Sequence, residues 1–406
     1  MQGMPLMKTF TDGWVVLAVL GLALSTSGLA RADPVRIFSP GVASGLAGGM
    51  DPVFEPDCGG FYFVRTNGDD AVILYSSRAG KTWKSPELVP FSGAWRDIEP
   101  ALSPDGAQLI FSSNRPILPG GAALDGSYKG ARPQAGGNLW KVTRIKGKWS
   151  QPQRLPDLIN SSDSVFSPSI AGDGSLYFMK PDVAGGVFHL YRSQWRDGEF
   201  QAPQRLSFSN GEPGDFDPAV AADESFLVFS STRPPAQPGK TGLFLVVRRG
   251  SEWGEPVALM EKLGPDVYGT EAKLSPEGRT LYFTNNRVEP VTFPKTPDAA
   301  RDSLRAMEAW NGPQRKIWQI DLTPVLREYG LPLQHNRSVP RAESQVGRRA
   351  NDSHSPPPIN VSPEARPSSF ARAGFMNQAR PRPDRMAQQE SLEAPSRTET
   401  PHISAS

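Results

Sequence analysis

The chain of 406 residues has one cysteine and four histidines. Cys58 has no second cysteine to pair with, so an intramolecular disulfide is excluded and stability has to come from packing. Only His189 falls in the patterned part of the chain, which works against a His-rich metal centre or a Ser-His-Asp triad. A Gly-x-Ser-x-Gly elbow, a phosphate loop and a dinucleotide fingerprint are missing as well. Charge of one sign is also lacking. With 44 basic and 42 acidic residues the net charge is +2, too little for a whole-molecule field that would attract nucleic acid or an anionic membrane.

The chain is instead rich in glycine (39) and proline (41), with a hydrophobic fraction of 38%, which is the composition of a turn-rich fold joined to unstructured sequence. Its N-terminus carries Lys8, an apolar run from Trp14 to Leu24, polar Ser25 to Ser27, and Ala30-Arg31-Ala32 before Asp33. These are the parts of a secretory signal, and the run is short for a bilayer span. Residues 1–32 are therefore expected to be a signal peptide, with an uncleaved anchor as the alternative and a periplasmic or secreted location as the consequence. From 335 to 406 the apolar pattern stops and Ser, Pro, Arg, Gln and Glu dominate, so a disordered tail is expected there. Its basic groups are all arginine, including Arg348-Arg349, and the stretch reads as a solvated linker or as an arm that touches a polyanion. Residues 33–334 are left as the structured domain.

That domain repeats itself. Glu99-Pro-Ala-Leu-Ser103-Pro104-Asp105-Gly106 leads into Leu109-Ile-Phe111 and ends at Asn114-Arg115, and a parallel copy runs from Glu271 to Arg287. Weaker copies start at Asp51, Ser167 and Asp217. In each, a strand meets a Pro-Asp-Gly turn or a degenerate version of it, and a second strand follows with Leu-x-Phe alternation. A third apolar strand comes next, then a fourth carrying an aromatic residue and a proline, as in Trp149 to Pro152 and Trp253 to Pro256. Four antiparallel strands at a spacing of roughly fifty residues make a propeller blade. Five units predict an all-β, five-bladed β-propeller, with six blades as the alternative. The last unit has no Trp-x-x-Pro strand, and Val35 to Phe38 has no partner in its own unit. These two gaps predict that the N-terminal segment completes the last blade and hides its edge.

The Ser-Pro-Asp-Gly-x-x-Leu-x-Phe core with a downstream Trp-x-x-Pro resembles the WD40-like repeat of the TolB-like propellers, over about residues 35 to 330. The resemblance implies a binding or scaffolding module of the cell envelope, while the fold itself does not fix an activity. Ser76 to Trp83 is similar to the Asp-box turn of sialidase propellers, with Arg78 where the Asp belongs, and speaks for blade geometry only.

Residues at matching positions of inner strands form rings around a propeller axis. The position before the proline holds Asp51, Glu99, Ser167, Asp217 and Glu271, which predicts four carboxylates at one mouth of the channel. Such a ring can bind a cationic or hydroxyl-rich ligand, do acid/base work, or hold a channel cation; no other cofactor is indicated. Hairpin geometry brings Arg115, Arg233 and Arg287 back toward Glu99, Asp217 and Glu271, so ion pairs within each blade are expected. Asp182 stands at the arginine position of the Ser167 unit and Asn67 at that of Asp51, which leaves Asp51 as the carboxylate expected to be free. The loops between second and third strands (Pro116 to Gly137, Pro234 to Thr241 and Val288 to Pro313) should gather at the same mouth, with a short amphipathic helix at Asp298 to Trp310. The functional expectation is recognition of a protein segment or glycan at that mouth, the alternative being a glycoside hydrolase that uses two ring acids.

Overall fold

The computed structural model describes residues 35–331 apart from 46, 68–69, 127–133, 184, 286–293, 295, 299–300 and 302–314. The expected signal segment, the tail beyond 335 and Arg287 lie outside the described residues, as does most of the helix expected at Asp298 to Trp310.

Among the described residues five antiparallel blade sheets each run as a meander from an inner strand outward, with a separate two-stranded ribbon of Trp195–Arg196 and Glu199–Phe200 at the outer end of the third blade, and the six-bladed alternative falls away. The inner strands are Gly48–Phe54, Asp97–Leu102, Phe166–Ile170, Asp215–Val220 and Thr270–Leu274. Each is an X-Pro or X-Ala segment that turns at a Pro-Asp-Gly equivalent and pairs with an apolar second strand such as Gln108–Ser113 or Phe226–Ser231. Inner and second strands are buried on both faces because they lie between neighbouring sheets. Phe61, Phe63, Phe111, Phe178, Phe229 and Phe283 of the second strands are completely enclosed.

The fourth strand departs from the simple expectation. In the first blade Thr82–Trp83 pairs with the far end of the third strand, and Glu87–Leu88 with its middle. The second and fourth blades repeat this division at Lys148–Trp149 and Gln153–Arg154, and at Glu252–Trp253 and Val257–Ala258. The proline of Trp-x-x-Pro sits in the gap, where a residue without an N–H can be tolerated on an outer edge. The indole side of each pair packs against neighbouring blades. Trp149 lies edge-on to Tyr62 and Phe91, and its Nε1 donates to the Tyr62 hydroxyl at 3.2 Å. Arg144 joins the same junction by donating to Glu55 at 2.7 Å.

The ring closes as expected. Arg36 and Ile37 pair antiparallel with Gln319 and Trp318 of the last blade's third strand, Lys316–Asp321. Phe38 follows and packs its ring against Phe54, Phe61 and Tyr282 with centroids 5.1 to 5.5 Å away, joining the first and last blades. A helix, Thr323–Glu328, begins with Pro324 in its first turn and buries Val325 and Leu326 beside the same seam. Among the described residues no helix is long and apolar enough to cross a membrane.

Because Phe38 fills a site shared by both ends of the ring, Phe38→Ala is expected to lower unfolding free energy by about 3–5 kcal/mol. Urea denaturation checks this, and a loss below about 1 kcal/mol would show that the seam does not hold the ring.

Candidate functional site

All five inner strands break register at the same point, between Met50 and Val53, Ile98 and Ala101, Phe166 and Ser169, Phe216 and Ala219, and Thr270 and Lys273. The residue at each break has positive φ: Asp51 54°, Glu99 56°, Ser167 50°, Asp217 54° and Glu271 58°. These are β-bulges, and they fall on the five ring positions read from the sequence. A non-glycine residue in this region costs about 1 kcal/mol or more, so five in a ring need a common compensation.

Part of that compensation lies between blades. The bulge turns the backbone N–H out of its own ladder. Ser167 N–H donates to Glu99 Oε2 of the preceding blade at 2.7 Å, and Glu271 N–H donates to Asp217 Oδ2 at 2.7 Å. The second strands supply hydroxyls to the same carboxylates, from Ser112 to Glu99 at 2.6 Å and from Ser230 to Asp217 at 3.1 Å. Ser167 also donates through Oγ to Asp217 Oδ1 at 2.9 Å. A serine at this ring position is therefore a donor that links two acids.

The arginines find other partners than those expected. Arg115 forks onto Asp97 at 2.8 and 3.2 Å and reaches the Phe91 carbonyl, while Arg233 holds Asp215 at 2.8 Å and reaches the Phe208 carbonyl at 3.3 Å. Neither bonds Glu99 or Asp217. The bulge sets Ser112 and Ser230 beside those acids, so the returning arginines meet the acid two residues earlier. The repeated Asp-x-Glu-Pro of blade two and Asp-x-Asp-Pro of blade four carried this signal. Asp182 points outward, accepting from Tyr191 and from Arg205 at 2.7 Å. Asp51 is fully buried rather than free, with Lys273 Nζ of the last blade 3.5 Å from Oδ1. Sequence reasoning missed Lys273 because only the last unit has a base two residues after the ring position. Glu271 takes its guanidinium from Arg315, 2.8 Å from Oε1, which enters from the irregular loop of the last blade.

Burial pushes Asp51 up to about 7; Lys273 opposes the rise, and the charges of Glu99 and Asp217 add to it. Burial and then Asp217 raise Glu99, and burial and then Asp51 hold Glu271 well above the ordinary carboxylate range. The ring separates two spaces. On the loop side a cavity of about 520 Å³ has Glu99, Asp217 and Glu271 in its floor. Ile98, Phe166, Met179 and Phe216 form an apolar wall, and Thr66, Asn67, Arg96 and Arg315 a polar one. Asn67, Ala135, Thr241 and Arg315 belong to connections between second and third strands, so those loops do gather at this mouth. On the far side Pro100, Pro168, Ser275 and Lys273 line a narrower space of about 130 Å³.

No protein-family model matches the chain, and no curated protein does. Solved structures similar to it include TolB from Acinetobacter baumannii, at 15% identity and a TM-score of 0.39, covering 59% of this chain and 49% of that one. The chain thus spans about half the length of that TolB. An α-L-arabinofuranosidase from Podospora anserina, solved with cellotriose, is similar at 11% identity and a TM-score of 0.42, covering 72% and 97% of the two chains. A thermostable family-43 glycoside hydrolase is similar at 12% identity and 0.43, covering 70% and 92%.

Unfolded Asp51 ionises near 3.8 and the native residue near 7. Below both values each state keeps the proton. As the pH climbs between them the unfolded chain loses its proton first, so the native state loses stability. Between about pH 4 and about pH 7, Asp51→Asn should remove a downward slope of up to about 1.4 kcal/mol per pH unit. Denaturation series on both proteins measure the difference, and parallel profiles would refute the assignment.

Proposed function

We propose that this chain is an exported, non-catalytic recognition module of the cell envelope that takes its ligand at the loop-rich mouth of the channel. The observation that carries the reading is how the ring acids are used. Both oxygens of Asp217 accept hydrogen bonds, Glu99 Oε2 accepts two, and Asp51 lies buried against Lys273. Asp217 and Glu99 thereby tie blades together, while Asp51 faces Lys273 across the first and last blades with neither oxygen hydrogen-bonded. A glycoside hydrolase needs two carboxyl groups free to flank a sugar bond, one giving a proton and one acting as base or nucleophile. Here Asp217, in the cavity floor, has both oxygens engaged, and Glu271 Oε2 is buried without a hydrogen-bond partner among the described residues.

What remains open for a ligand is a concave space of the size that small ligands or a few residues of a peptide fill, with one apolar and one polar wall. The repeat's resemblance to TolB-like propellers agrees with a binding role, and the N-terminal segment is the basis for placing the protein outside the cytoplasm. The partner is a protein segment or a glycan.

Screening the full-length chain on peptide and glycan arrays, then repeating each hit with variants, tests this reading. Phe216→Ala in the mouth should weaken a genuine ligand by about tenfold or more, about 1.4 kcal/mol, whereas Lys81→Ser at an exposed turn should not. Turnover of a glycan that disappears in Glu271→Gln would favour the hydrolase instead.

A further inference from the structure

Among the described residues the ring is short of positive charge. Asp51, Glu99, Asp217 and Glu271 face Lys273 and Arg315, and even with Arg96 on the cavity wall the acids outnumber the bases. Lys273 is committed to Asp51. Arg315 reaches only Oε1 of Glu271 and keeps its side chain 53% exposed at the rim. Glu271 lines the cavity but is only 7% exposed, and its Oε2 is buried with no hydrogen-bond partner among the described residues. A buried carboxylate oxygen without a donor is costly, and a donor arriving from the cavity would relieve it. Beside it stands the wall of Phe166, Met179 and Phe216. An apolar body packs well against such a surface, and aromatic faces attract cations. Among the described residues no group of three acidic, histidine or cysteine side chains is arranged to hold a metal ion, which favours a donor that brings its own N–H groups.

We propose that the ligand of this mouth carries an organic cation, a primary ammonium or guanidinium group on an apolar body, whose N–H groups bond Glu271 Oε2 while the body lies on Phe166, Met179 and Phe216. The inference rests on the mouth being the binding site. Glu99, Asp217, Glu271, Arg315 and Arg96 line the cavity that receives the charge, with Asp51 and Lys273 behind them in the ring, so its arrival favours ionised carboxylates and releases protons.

Isothermal titration of the full-length protein with phenethylammonium, in two buffers of different ionisation enthalpy near pH 7, tests it. A capped Phe-Lys-Phe peptide is run in parallel to tell a free amine from a basic side chain as the source. Binding of either probe with buffer-dependent heat is expected, together with a loss of about tenfold or more for uncharged phenethyl alcohol and for the Glu271→Gln variant. Glu271→Gln keeps the side-chain shape, and a thermal melt confirms its fold. Equal affinity for the alcohol, the absence of proton release, displacement of the amine by calcium in a simple competition, or failure of both amines would each overturn the proposal. A neutral array ligand that is lost in Phe216→Ala while neither amine binds would leave the mouth as the binding site and remove only the cation.

Discussion

The fold depends on a bulge repeated five times. Each inner strand sets one residue in the left-handed region at the channel, and this conformation frees a backbone N–H from its own sheet. At two blade junctions that N–H lands on the carboxylate of the preceding blade at 2.7 Å. A propeller blade is a small, twisted sheet that cannot hide its own faces, so neighbours must be fixed to one another. Phenylalanines of the second strands supply the apolar part of that attachment without direction. The carboxylate to N–H bonds add the direction, and they set which residues face the axis.

The same device shapes the site. Acids tied to backbone donors have little capacity left for chemistry, and burial, with repulsion from neighbouring ring acids added, keeps the other two, Asp51 and Glu271, above the usual carboxylate range. The blades are not equivalent in how they manage this. Blade three replaces acid by Ser167, whose hydroxyl links two neighbours, and blade five adds Lys273 against Asp51. The result is a ring in which Asp217 is fully engaged while the oxygens of Asp51 and Oε2 of Glu271 are buried without hydrogen-bond partners, Glu271 in the floor of a cavity that also has apolar lining. Asymmetry of this kind is what turns a structural ring into a place where a ligand has one orientation.

Much of this was legible from the repeat. Period, turn chemistry and Leu-x-Phe alternation are local, and they gave the strand pairing, the blade count, the ring positions and the mouth to which the loops belong. The missing fourth strand and the unpartnered Val35 to Phe38 pointed to the seam. The arginines were harder to place. A regular hairpin would return Arg115 and Arg233 near Glu99 and Asp217, whereas the bulge shifts the pairing so that they meet Asp97 and Asp215. Nothing in the composition of an X-Pro pair announces positive φ on X, which proline tends to disfavour.

The sequence by itself determined that the chain builds five similar antiparallel sheets and puts acids at one position in four of them, because hydrophobic period and turn residues act over a few neighbours. Only the tertiary structure decided which of those acids are consumed. The partner of Asp51 sits 222 positions away, and that of Glu271 comes from a loop with no repeat signature. Closure of the ring brings such residues together, and hydrogen bonding across blade boundaries engages Glu99 and Asp217 while leaving Glu271 Oε2 without a partner among the described residues.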